Sequence, residues 1–150
     1  MLNPFDLKSA LLAKHAQHVV LVHFPIALYL SGTFFDFLAR AIRRPGFREA
    51  ARWNFLAAAI MSLPSAATGI LAWRWALEGQ HIKGILRLHF LLAFAVVLGM
   101  WMTLWLRSHR NSGGKERDSG WQLAVESTVC VLVAATAHLG GFLSGVNAGL

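Results

Sequence analysis

Histidine is the residue type in this sequence that most needs a chemical explanation. His18 and His23 open the apolar stretch HVVLVHFPIALYLSGTFFD, His89 begins a second apolar run, and His138 lies late in a third. An ionisable group inside a segment long enough to cross a bilayer is costly, and it usually faces a protein interior where it has work to do. Imidazoles brought to one depth from separate helices can bind a metal. A six-coordinate b-type haem needs two of them facing each other across an apolar slot, and ligand identity and burial then set its potential.

His23 and His89 are the expected axial pair, because their helices run parallel and both residues lie just inside the same boundary. Arg87, and more weakly Arg74, are placed to meet the haem propionates, which favour guanidinium partners near an interface. His18 and His138 are the alternatives, as a second pair or as polar partners of the first. His18 and His23 differ by ~140° around a helix at ~100° per residue, so they do not ordinarily share one iron. One haem is expected, a second is allowed, and a quinone has room beside it.

Other chemistries fit less well. A copper or zinc site from three histidines usually wants a carboxylate base nearby, and that end offers only Asp6 and Glu78. A transporter should carry midplane charges and paired broken helices, and the middle of these runs is nearly uncharged. No nucleophile triad, P-loop or dinucleotide fingerprint is present. His15 and His81 read as solvated interfacial residues, His109 as a loop residue, and His138 equally well as a hydrogen-bonding partner between helices. Cys130, the single cysteine, excludes an intrachain disulfide and reads as a buried inert thiol.

The elements that must position these residues follow from composition. The chain has 150 residues, of which 56% are hydrophobic and only 14% charged. Charged residues ordinarily make up about a quarter of a soluble domain. The pattern predicts one all-α membrane domain over 1–150: a four-helix up-down bundle, cytochrome b-like, with spans at about 19–38, 53–73, 88–106 and 121–143. Each approaches the ~20 residues that a bilayer core requires. Residues 1–16 read as an amphipathic helix at the interface, not as a cleaved signal. Pro25 should free the carbonyl of Leu21 and bend the first helix near His23, and Pro64 should kink the second. Asp36 and Arg40 read as an interfacial ion pair. The small residues of AAAIMSLPSAATG suit close helix packing, and Gly69 also leaves room for a flat ring. The polar stretch from Ser108 to Gly120 reads as a linker. No internal repeat is evident.

The net charge of +7 invites a nucleic-acid reading, but the basic residues fall at span ends, where they set topology. The connection RAIRRPGFREAAR and the segment from Arg107 to Arg117 carry most of them. That end should be cytoplasmic, with both termini periplasmic in a bacterial inner membrane. Every histidine except His109 then belongs to the outer half.

The opening His18-x-x-x-x-His23-Phe24-Pro25-Ile26-Ala27-Leu28, followed by Asp36, resembles the bacterial four-span membrane proteins of domain-of-unknown-function family 2231. Those typically begin His-Pro-x-x-x-His-Phe-Pro-Ile-Ala-Leu; here Val19 stands where the first proline is usual. The likeness extends more weakly to Ala67-Thr68-Gly69, His89 and Leu139-Gly140-Gly141-x-Leu143, and the usual tyrosine-containing tail is missing. The resemblance implies a four-helix membrane fold and a haem-linked redox role.

The expected function is therefore an electron-transfer subunit. Its haem near the periplasmic face would link a periplasmic partner, such as a c-type cytochrome, to the quinone pool. So small a chain, with almost no soluble mass, should work inside a larger redox complex and not as an enzyme alone. The rival expectation is a haem-free structural or assembly subunit, in which the histidines serve packing.

Overall fold

A computed structural model describes residues 16–76, 78–79, 81–111 and 120–144. Among the described residues there are four α-helices: α1 (Ala16–Ile42), α2 (Pro45–Ala76), α3 (Gly84–Asn111) and α4 (Gly120–Leu143). All four are long and apolar enough to cross a membrane. The expected interfacial helix and His15 lie outside the described residues, save Ala16, as does most of the polar segment before α4.

The helices extend past the apolar runs. The arginine-rich connection is helical almost throughout, and the chain reverses at Arg43 and Arg44, with Arg43 in the left-handed region at φ 55°. Pro45 restarts the helix at its first position, where a missing N–H costs nothing. Ser108 to Asn111 continue α3, so His109 is helical, exposed and packed on the Trp105 ring.

Neighbouring helices in sequence pack side by side, and α4 closes the ring against α1, which leaves α1 and α3 on a diagonal. The core is small: Tyr29, Phe55, Met100, Val129 and Val133, with Ala51, Ala58 and Ala59 between them. The Tyr29 ring meets Phe55 edge-on at 5.1 Å. Across the diagonal, the Tyr29 hydroxyl lies 2.8 Å from Thr103 Oγ1. Thr103 spends its own proton on the Gly99 carbonyl, so tyrosine is the donor. Close approach depends on missing side chains. A Cβ on Gly32 would sit 3.0 Å from the Phe55 ring, and one on Gly99 would sit 2.6 Å from Val129. Large apolar side chains such as Phe94 and Val131 point outward, which is wasteful in water and appropriate in lipid.

Pro25 stands inside α1 and leaves the Leu21 carbonyl without its helical donor, and Ser65 Oγ on α2 lies 3.1 Å from that carbonyl, sharing its one proton with the Met61 carbonyl at 2.9 Å. No repeat of identical residues is evident, but a pattern of exposure recurs. One shift in numbering carries α1–α2 onto α3–α4 and preserves which positions face inward: Tyr29 onto Met100, Phe55 onto Glu126, Ala58 onto Val129 and Ser62 onto Val133, all buried. The outward positions correspond too, Val20 with Leu91 and Leu30 with Trp101. The two hairpins thus share a pattern of inward and outward positions. What repeats is mainly the pattern of exposure, with few identical residues, and a search for identities misses it.

Candidate functional site: anchored histidines and a buried charge cluster

Of the residues singled out in the sequence, two are clamped between helices. His18 reaches from the first turn of α1 to α2, with Nδ1 3.1 Å from the Ser65 carbonyl and 3.4 Å from Thr68 Oγ1. His89 reaches from α3 to α4, with Nδ1 3.1 Å from the Thr136 carbonyl. A carbonyl only accepts, so Nδ1 carries a proton in both rings, which in a neutral imidazole leaves the lone pair on Nε2. Each ring also lies against a glycine. A Cβ on Gly69 would come within 3.0 Å of His18 Cε1, and one on Gly140 within 3.3 Å of His89 Cε1. A side chain at either position would push the imidazole off its carbonyl.

The other expected residues are placed differently. His23 is exposed, and its Nδ1 bonds the Val19 carbonyl one turn back on its own helix at 2.6 Å. It does not take the carbonyl that Pro25 frees, since Ser65 has it. His138 is exposed and stacks edge-on with Phe142 at 5.0 Å. Arg74, in the last turn of α2, and Arg87, in the first turn of α3, are exposed at the same end of the bundle as His18 and His89. His81 is exposed in the connection between α2 and α3. Among the described residues, no three His, Cys, Asp or Glu side chains gather closely enough to hold a metal ion by themselves.

At the opposite end the structure builds a second polar site that the sequence reading missed. Arg107 on α3 donates from Nη1 to Glu126 Oε1 on α4 at 2.5 Å and from Nη2 to Asp36 Oδ1 on α1 at 2.6 Å. Asp36 also accepts from Arg40 at 2.7 Å, the ion pair read from the sequence. That pair is not merely interfacial, because Asp36 is only 3% exposed and Glu126 only 1%. The Arg107 guanidinium lies 4.8 Å from the centre of the Phe55 ring on α2, so one side chain touches all three other helices. Glu126 Oε2 has no hydrogen-bond partner. The signal was available: one acid at the same end of each of two apolar runs, and an arginine at matching depth in a third. Asp36 follows His18 by 18 residues, or ~27 Å at ~1.5 Å per residue, so the two polar sites lie near opposite edges of a ~30 Å hydrocarbon layer.

A family model described as "Predicted membrane protein (DUF2231)" matches residues 14–147. No curated protein and no solved structure matches the chain.

Proposed function

We propose that this chain, which belongs to the DUF2231 family of predicted membrane proteins, carries a b-type haem at the histidine end of its bundle and passes electrons as a subunit of a larger redox complex. The observation that carries the reading is His89, held between α3 and α4 with Nδ1 on a carbonyl and a glycine against its ring. A metal-binding imidazole usually donates its other N–H to a carbonyl or carboxylate, which fixes ring orientation and makes the remaining nitrogen the ligand atom. α1 supplies the second imidazole from His18 or His23 at the same end. Arg74 and Arg87, exposed at that end, suit propionates. The iron would supply one-electron chemistry; the chain's part is to hold the ring, exclude water from it and set its potential.

The basic end argues for orientation. Arg40 and Arg107 are spent on internal ion pairs, but Arg43, Arg44 and Arg52 remain exposed there. By the excess of such residues on cytoplasmic loops, the histidine end faces the periplasm of a bacterial inner membrane. A periplasmic donor or acceptor, a c-type cytochrome for example, then reaches the haem from outside, and the quinone pool reaches it through the bilayer.

The Nδ1 bonds also favour a second reading. They tie α1 to α2 and α3 to α4 whether or not iron is present, which is what a haem-free assembly subunit would need. Expression with excess haem precursor separates the two. Electron transfer requires a purified protein with a Soret band that shifts on reduction by dithionite and by a quinol; a colourless protein leaves the structural reading.

A further inference from the structure

The structure assigns His18 and His89 as the axial pair of that haem, an inference that rests on the haem reading and goes beyond it by using the correspondence of the two hairpins. The sequence favoured His23 for α1, since it sits deeper and beside Pro25. That correspondence decides otherwise. The shift in numbering that matches the exposure of the two hairpins carries His18 onto His89, Ser65 onto Thr136 and Gly69 onto Gly140. It therefore carries one complete device onto the other. In each, Nδ1 bonds the carbonyl of the residue 47 positions later, at 3.1 Å in both cases. In each, a glycine one turn beyond that carbonyl lies against the imidazole Cε1.

The same shift carries His23 onto Phe94, which is 65% exposed and points outward. Position 23 thus belongs to the lipid-facing side of α1, and the His23 bond to its own helix is what an imidazole there can make. His138 corresponds to Ala67, and both are exposed.

His18 and His89 stand at the same end of the diagonal helices α1 and α3, each tied through Nδ1 to a carbonyl of the neighbouring helix, so a haem between those helices would take its two ligands from equivalent positions. His23 with His89 would combine an exposed position with a half-buried one. Ser65 and Thr136, through their carbonyls, are positioning residues: they orient the rings and make the ligand nitrogen more basic. Gly69 and Gly140 position in the opposite sense, by leaving the space that each ring occupies.

The test uses the full-length protein purified in detergent after expression with excess haem precursor. Haem per chain is measured by pyridine haemochrome, and spin state by electron paramagnetic resonance. His18→Ala and His89→Ala should each lose the low-spin six-coordinate signal to the same extent, and added imidazole should restore it. His23→Ala should keep the wild-type haem content and signal. Gly69→Leu and Gly140→Leu, which keep both histidines, should lower haem occupancy alike, and this guards against reading misfolding as ligand loss. Retention of low-spin haem in His18→Ala with its loss in His23→Ala overturns this assignment and leaves the haem reading intact. A wild-type protein without haem overturns both.

Discussion

Replacing Arg107 with leucine should be the most damaging single change at the basic end, and the structure says where the damage falls. Asp36 loses one partner and keeps Arg40 at 2.7 Å. Glu126 loses its charged partner while one of its oxygens already has no hydrogen bond. Removing one member of a buried ion pair typically costs about 3–5 kcal/mol, because the other charge is stranded. The lost contact with the Phe55 ring adds about 0.5–2 kcal/mol. Arg107→Leu should therefore lose about 3–5 kcal/mol or more. The double variant Arg107→Leu with Glu126→Leu removes the stranded charge along with its cause, and it should return to within about 2 kcal/mol of wild type, since a buried pair exchanged for apolar residues is often neutral. Unfolding by sodium dodecyl sulfate in mixed micelles, followed by circular dichroism, measures both, and the double-mutant cycle isolates the coupling. Interhelical hydrogen bonds in lipid average only about 0.6 kcal/mol. A single-variant loss of that size, or a double variant worse than the single one, would refute the argument.

Further outcomes follow from individual contacts. Ser65→Ala strips the partner from the Leu21 carbonyl that Pro25 frees, and the same micelle titration should register a loss of about 1–3 kcal/mol. Gly99→Ala puts a methyl 2.6 Å from Val129 Cγ2 and should cost about 1–3 kcal/mol, while Gly46→Ala, with nothing within 4 Å, should be neutral or stabilising by up to about 1 kcal/mol. Tyr29→Phe should lose about 1 kcal/mol by removing the hydrogen bond that crosses the bundle, and Thr103→Val should then add little to it.

The membrane fold was legible because lipid imposes one constraint, a run of apolar residues long enough to satisfy its own backbone, and four such runs stand in plain view. The loose carbonyl of Leu21 was legible in the same way, from the donor that Pro25 lacks, although Ser65 as the group that approaches it was not. Hydropathy treats an arginine at the end of an apolar run as a topological marker, and that hid the inward turn of Arg107. His18 and His23 could be ranked by depth and neighbours, but depth does not say which side of a helix faces a partner. That depends on the azimuth fixed by packing, and Gly69 and Gly140 became informative only once each lay against an imidazole. The correspondence of the hairpins was hidden because they share exposure, not identity: Asp36 corresponds to Arg107 and Phe55 to Glu126, so an acid matches a base and a ring matches an acid.

The most direct test of the haem at the histidine end is the low-temperature electron paramagnetic resonance spectrum of the oxidised wild-type protein, loaded with haem during expression. Two imidazoles held as His18 and His89 are held should give a low-spin ferric signal of the bis-imidazole type, at one spin per chain. A high-spin signal, or a protein that folds fully without iron, would contradict it.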